Sequence, residues 1–146
     1  MDNKNMTQQL GELFQLIHQY EDLGIKTKAE GLWTPSELHI VECIGLSERM
    51  KSKEIGEMLN ITKVTVSQQL KKLIDEEVVI KQVNQADKRI SYLSLTKKGL
   101  SFYEEKEKMK TDFAESLMNS LSKEERKGFI KGVNELNQHL KTRINS

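Results

Sequence analysis

The chain has 146 residues and 36% hydrophobic content, which suits one modest globular domain. The net charge of the whole chain is only +1, which does not favour a charged partner. The single cysteine excludes an internal disulfide and fits a reducing compartment. The sequence shows no signal-peptide pattern and no apolar run of about 18 residues, so we expect a cytoplasmic protein without membrane contact. One proline and eight glycines are few for a β-sandwich, which favours a mostly helical chain.

Positive charge is concentrated in the middle of the chain. Residues 51–98 contain ten Lys and Arg against six Asp and Glu, a local net charge of +4, which leaves −3 for the remainder. A basic middle between mildly acidic ends is a modest indication of nucleic-acid binding.

The N-terminal segment predicts an amphipathic helix too apolar to stand alone. Its apolar side chains recur at helical spacing, namely at Leu10, Leu13, Phe14, Ile17 and Tyr20. A second helix is predicted to begin after Thr34, which can cap its first turn. Pro35 suits the first helical position, and Glu37 can complete a capping box. This helix is expected to end near Leu46.

The next segment, residues 52–76, predicts a helix-turn-helix. Ser52 is expected to cap a short helix, and Thr62 a second one. The second helix has a polar face without a carboxylate before Asp75. That face and its margins consist of Val64, Thr65, Ser67, Gln68, Lys71 and Lys72. Lysines can neutralise phosphates, hydroxyl and amide groups can bond base edges, and valine can contact a thymine methyl. Taken alone, an ordinary surface helix is an equal alternative.

Two predicted strands, residues 78–83 and 89–95, enclose a polar loop and form a β-hairpin, or wing. Thr96 is then expected to cap a long helix, and Ser122 a final one. The first helix and the last two carry apolar stripes too long for the small middle to cover. Two copies could bury these stripes against each other, and a two-fold dimer would present recognition helices to major grooves about 34 Å apart.

The fold class predicted from these elements is mostly α with a small β-wing (α+β). It is a single winged helix-turn-helix domain over residues 1–146. Residues 1–30 and 100–146 are expected to form dimerisation helices, and residues 34–98 the DNA-binding lobe.

The most specific pattern lies in the wing. Asp87-Lys88-Arg89, followed by LSLTKKG up to Gly99, resembles the D-x-R and L-T-x-x-G signature of the MarR family of bacterial transcriptional regulators. The resemblance extends over nearly the whole chain, including Thr34 to Leu38, Ser52 to Leu59 and Thr65 to Ser67. It implies that Arg89 enters a minor groove and that Asp87 orients it, and a narrow A·T-rich groove does attract arginine. One departure is Glu77, where the family often has the glycine of a left-handed helix cap.

The predicted contacts with double-stranded DNA combine the recognition helix, the wing and nearby lysines. An isolated Asp87–Arg89 pair would be an ordinary surface ion pair, but its place at the tip of a basic hairpin favours DNA contact. Lys53, Lys63, Lys72 and Lys88 are candidates for phosphate contacts. The full predicted set is Lys53, Thr62, Lys63, Val64, Thr65, Ser67, Gln68, Lys71, Lys72, Asp87, Lys88 and Arg89.

The resemblance also implies a cleft for a small lipophilic or aromatic effector. Its candidate residues are Phe14, His18, Trp33, His39 and Phe102, although core or dimer packing is the commoner role of such aromatic side chains. His39 and Cys43 have a possible metal-ligand spacing, but no second clustered pair accompanies them. Cys43 could also be a redox switch, although its apolar surroundings favour a buried thiol. We therefore expect no metal and no cofactor.

These observations predict a homodimeric, sequence-specific repressor that binds a pseudo-palindromic operator. A winged-helix module that docks onto another protein is an alternative, as is a redox- or metal-responsive regulator. An enzyme is not expected, because no nucleophile–base pair, glycine-rich phosphate loop or carboxylate constellation occurs.

Overall fold

The computed structural model describes residues 3–28 and 34–145, excluding the side chains of residues 22–28. Packing divides the chain into two compact units, Met1–Glu104 and Glu105–Ser146. Within the described residues the elements are, in chain order, α1 (Asn3–Lys28), α2 (Pro35–Ser47), β1 (Arg49–Lys51), α3 (Ser52–Leu59), α4 (Lys63–Asp75), β2 (Val79–Val83), β3 (Ser91–Leu95), α5 (Lys97–Asn119) and α6 (Lys123–Ile144). The expected mostly helical fold with a small β-wing is confirmed. The division into dimerisation helices and a DNA-binding lobe stays a prediction.

The three strands form one antiparallel sheet in the order β1-β3-β2. The hairpin of β2 and β3 was expected, but β1 was not. Met50, the middle residue of β1, pairs with Leu93 of β3, and both side chains are buried. Two charged residues flank Met50, so the short strand shows no apolar pattern of its own, and only its pairing with β3 defines it.

The core of the first unit lies between α2, the helix-turn-helix of α3 and α4, and the sheet. Its fully buried side chains are Leu38, Ile40, Val41, Ile44, Ile55, Val66, Leu73, Val78, Val79 and Leu93. Each such aliphatic side chain stabilises the fold by roughly 1.5–3 kcal/mol relative to an exposed one. The start of α5 adds Phe102 and Tyr103, which pack against this core half-buried. The core therefore fixes the position of α4 against its neighbours.

The helix starts follow the predicted capping residues, with one correction. Capping boxes at Thr34 and Ser122 and the cap at Thr62 are confirmed. The expectation that Ser52 caps α3 is wrong, because Ser52 is the first residue of that helix. The preceding Lys51 still belongs to β1 and has extended backbone, and its N–H donates to Glu54 Oε1 at 2.9 Å.

Helix α4 ends in a Schellman motif. The Val78 N–H donates to the Leu73 carbonyl oxygen at 2.9 Å, and the Glu77 N–H donates to the Ile74 carbonyl oxygen at 3.0 Å. This geometry requires a left-handed residue, and Glu77 has a φ of 60°. A glutamate thus occupies the backbone conformation that glycine adopts most easily.

Long apolar stripes are exposed on the helices outside the winged part, as the sequence indicated. The exposed large apolar side chains of α1 include Leu13, Phe14, Leu16, Ile17 and Tyr20. In the second unit they are Phe113, Phe129, Ile130, Leu140 and Ile144. Across the residues that the structure describes, no helix is both long and apolar enough to cross a membrane.

Candidate nucleic-acid interface

The exposed face of α4 is the first part of the candidate interface. The Thr62 hydroxyl caps the helix by accepting from the Thr65 N–H at 3.2 Å. Val66, Leu70 and Leu73 anchor the opposite side in the core. The outward side chains are Val64, which is 65% exposed, together with Ser67, Gln68 and Lys71. This arrangement presents methyl groups, a hydroxyl, an amide and an ammonium group along one helix face, as the sequence predicted.

Lys72 does not belong to this outward set. Its Nζ lies 2.9 Å from Glu37 Oε2 and 3.2 Å from Glu37 Oε1, and Glu37 is only 5% exposed. A phosphate contact by Lys72 would have to compete with a carboxylate that is already desolvated. The phosphate contact of Lys72 stays a prediction, and the Glu37 pair is a competing role for its ammonium group. Its partner lies 35 residues earlier and only packing of α2 against α4 brings them together.

The tip of the wing is an ordered turn rather than an open loop. Asn84 Oδ1 accepts from the N–H groups of Ala86 at 2.8 Å and Asp87 at 3.2 Å. The Asn84 N–H donates to the Ile90 carbonyl oxygen at 2.8 Å, which closes the turn. These bonds fix the backbone that carries Arg89.

The Asp87 carboxylate holds Arg89 in a bidentate pair. Arg89 Nε and Nη2 each lie 3.0 Å from a different carboxylate oxygen, and the Arg89 N–H donates to Oδ1 at 3.1 Å. The Arg89 side-chain bonds, followed by this backbone bond, lower the pKa of Asp87. The Arg89 side chain is nevertheless 90% exposed. The pair therefore orients the guanidinium while leaving Nη1 and one Nη2 hydrogen for an external acceptor.

Lys81 is a candidate contact that sequence reasoning missed. It pairs with Leu93 in the sheet and lines a cleft of about 270 Å³ between the wing and α4. Ser67, Lys71 and Asp75 line the same cleft. The strand alternation that points Lys81 toward α4 depends on the register of the hairpin, which the sequence left open. The remaining predicted cations Lys53 and Lys63 line a groove of about 440 Å³ beside the helix-turn-helix turn, and Lys88 is exposed at the wing.

Two further cations bracket an aromatic ring on the outer face of the sheet. The Arg49 guanidinium carbon lies 4.3 Å from the centre of the Tyr92 ring, and Lys51 Nζ lies 5.9 Å from it. Such cation–π contacts stabilise the pairing of β1 with β3. They also explain how so polar a strand as β1 is held in the sheet.

The predicted effector residues lie in different surroundings. Phe14 and His18 are exposed on α1, and Phe102 is half-buried against the core. His39 Nε2 lies 3.3 Å from Glu21 Oε2 at the contact of α1 with α2. Trp33 lies outside the described residues. The shared pocket stays a prediction.

The thiol of Cys43 is buried in α2. Burial raises its pKa, which lowers the fraction of reactive thiolate. His39, four residues earlier, points instead to the exposed pair with Glu21. Among the residues described here, no group of three or more His, Cys, Asp and Glu side chains is placed to hold a metal ion.

The fold and this surface define a winged helix-turn-helix protein. Residues 33–91 match the family model described as the MarR family. The chain belongs to the MarR family.

Curated relatives agree with this assignment. The chain is 30% identical over 108 residues to the HTH-type transcriptional regulator PchR of Bacillus subtilis, a match that covers 72% of this chain and 64% of PchR. It is 30% identical over 100 residues to the HTH-type transcriptional regulator TcaR of Staphylococcus aureus, covering 67% of this chain and 66% of TcaR. The chain thus spans just under two thirds of the length of these curated relatives.

Solved structures share the fold. The crystal structure of Streptococcus pneumoniae FabT in complex with DNA superposes with a TM-score of 0.90 at 22% identity, covering 97% of this chain and 99% of FabT. The Staphylococcus aureus MepR–DNA complex gives a TM-score of 0.67 at 21% identity and covers 90% of this chain and 97% of MepR.

Proposed function

We propose that this protein is a sequence-specific DNA-binding transcriptional regulator that acts as a homodimer and represses from a pseudo-palindromic operator. The observation that carries the proposal is the combination of two features of one surface. The outward face of α4 carries no carboxylate before Asp75, and the wing beside it holds an exposed Arg89 in fixed orientation. FabT and MepR, which share the fold, have both been crystallised in complex with DNA, which supports the same use of this surface.

The α4 face and the wing would contact different parts of the DNA. In the major groove, Ser67 and Gln68 can bond base edges and Val64 can contact a thymine methyl, so these residues supply sequence preference. Lys71 and Lys81 can neutralise phosphates, which supplies salt-dependent affinity without sequence information. Arg89 would enter the flanking minor groove, whose width depends on A·T content.

The homodimer is supported by the apolar stripes of α1, α5 and α6. Exposed apolar stripes on helices of this kind mark interaction sites. A two-fold partner would cover the stripes with the same surface of a second copy. An effector could then regulate binding only by contacting two arrangements of the dimer differently.

The test is a fluorescence-anisotropy titration of the promoter of the protein's own gene, at two salt concentrations and with non-specific duplex as competitor. Arg89→Ala is expected to weaken specific binding about tenfold, as loss of a groove-reading arginine typically does. Lys131→Ala, which removes an exposed cation on α6, serves as the matched charge control and is expected to bind like the wild type.

Three outcomes separate the alternatives. Salt-dependent binding that Arg89→Ala weakens and Lys131→Ala preserves supports the proposal. Binding without preference over competitor moves the search for the operator to a genome-wide pull-down with the same variants. Absence of binding to any duplex at low salt contradicts the proposal and favours a protein-docking role for the α4 face.

A further inference from the structure

We propose that Glu37 and Lys72 form a positioning pair that sets the orientation of recognition helix α4 for specific DNA reading. This inference rests on the proposed function and deepens it. It also reverses the role that the sequence suggested for Lys72, from a direct phosphate contact to a link inside the protein.

The geometry joins the first turn of α2 to one side of α4. Both carboxylate oxygens of Glu37 lie within hydrogen-bond distance of Lys72 Nζ, at 2.9 and 3.2 Å. A second link runs beside the first, because the Ser36 hydroxyl donates to Gln69 Oε1 at 2.9 Å. Gln69 and Lys72 are one helical turn apart and therefore lie on the same side of α4. Two parallel links restrain rotation of the helix about its own axis as well as its distance from α2.

Because Glu37 is buried, its pairing with Lys72 restrains the position of α4. Its side chain is 7% exposed, whereas that of Lys72 is 38% exposed. A desolvated carboxylate needs its partners, so any arrangement of α4 that separates Lys72 from Glu37 is disfavoured. Glu37 Oε2 also accepts from the Thr34 N–H at 3.2 Å, which fixes the carboxylate to the start of α2.

The orientation of α4 determines where the side chains of its DNA-facing surface lie. Lys71 precedes Lys72 by one residue, or roughly 100° around the helix, and Ser67 and Gln68 lie about one turn before Lys71 and Lys72. A small rotation of α4 would move these side chains off the base edges, while a lysine–phosphate contact would tolerate it. Loss of the pair is therefore expected to reduce specific binding and to spare non-specific binding.

The experiment compares Glu37→Gln, Lys72→Met and the double variant with the wild type and with Lys71→Met. Glutamine can still accept the Thr34 N–H bond, so Glu37→Gln removes the ion pair and keeps the cap. Anisotropy titrations measure affinity for operator and for non-specific duplex over a range of salt concentrations, and circular dichroism confirms that each variant is folded.

For a positioning pair, each single variant should lose roughly three- to thirtyfold in the ratio of specific to non-specific affinity. The double variant should lose no more than either single one, and the slope of log affinity against log salt should stay unchanged. For a phosphate contact, Lys72→Met should instead lower that slope by about 0.9, and Glu37→Gln should strengthen binding to any duplex by releasing the lysine.

The wild type and Lys71→Met distinguish failure of the proposed function from failure of the positioning pair. If the wild type shows no salt-dependent binding to any duplex, the proposed function itself fails. If the wild type binds and Lys71→Met lowers the salt slope, but Glu37→Gln leaves the specificity ratio unchanged, only the positioning pair is refuted.

Discussion

Replacing Glu77 with glycine is expected to stabilise the protein. Glu77 occupies the left-handed residue of the Schellman motif that ends α4, with a φ of 60°. That conformation costs a side-chain-bearing residue about 1–2 kcal/mol. Glycine removes this cost but loses about 0.5–1 kcal/mol more backbone entropy on folding. At the middle of both ranges the net gain is about 0.75 kcal/mol, or roughly 1.5–3 °C in Tm for a chain of this size.

Thermal and urea unfolding followed by circular dichroism would measure this gain, at one fixed protein concentration because self-association raises apparent stability. Glu77→Ala is the matched control, since it removes the same carboxylate and keeps a Cβ in the left-handed conformation. It should leave Tm almost unchanged. Equal stabilisation by alanine and glycine would show that charge rather than backbone conformation is responsible, and no gain with glycine would refute the strain argument.

Three further results are expected. In the same unfolding assay, Gly99→Ala should destabilise the protein by about 1–3 kcal/mol, because a Cβ there would overlap the Val78 carbonyl oxygen. Gly128→Ala is the control, since a Cβ at this position of α6 meets open space, and it should be neutral or stabilising. Alkylation of Cys43 by iodoacetamide should be slow in the native protein and fast in denaturant, because burial raises its pKa and restricts access; rapid native alkylation at pH 8 would revive the redox alternative. The Arg89-dependent part of DNA affinity, measured as the wild-type to Arg89→Ala ratio, should be constant from pH 8 to pH 5. The pKa of Asp87 is lowered from 3.8, so its pairing is present above that value and is lost only as pH falls through the lowered pKa; a ratio that declines by pH 5 would contradict this.

Features encoded in short stretches could be predicted from the sequence. The capping boxes at Thr34 and Ser122 and the buried stripe of α4 depend on residues three or four positions apart, and the structure confirms them. Features that depend on packing could not be predicted in the same way. Strand β1 exists through its pairing with β3, more than 40 residues later in the chain.

The same contrast between local and packing-dependent features explains why the surroundings of Lys72 and Lys81 could not be predicted from the sequence. The sequence placed Lys71 on the polar face of α4 and Lys72 at its margin, and both were candidates for DNA contact. The structure separates them, because Lys72 meets a buried carboxylate from α2 while Lys71 stays exposed. Lys81 was overlooked for a related reason, since only the hairpin register turns it toward α4.

The LSLTKKG segment up to Gly99, which resembles the family signature, has a structural role at the base of the wing. The Thr96 hydroxyl donates to the Glu77 carbonyl oxygen at 2.6 Å and accepts from the Gly99 N–H at 3.1 Å. Gly99 itself lies directly against the Val78 carbonyl oxygen. These contacts fasten the start of α5 to the base of the wing, and the hydroxyl and the small residue they require face the protein interior rather than DNA.

Under the proposed function, threonine and glycine at these two positions therefore place no constraint on the operator. Substitution of Val64, Ser67 or Gln68 is expected to leave these contacts intact, because the three side chains are exposed on α4. Resemblance to the family signature at these positions therefore indicates the architecture of the wing. Under the proposed function, the operator preference of this chain depends instead on its own α4 face.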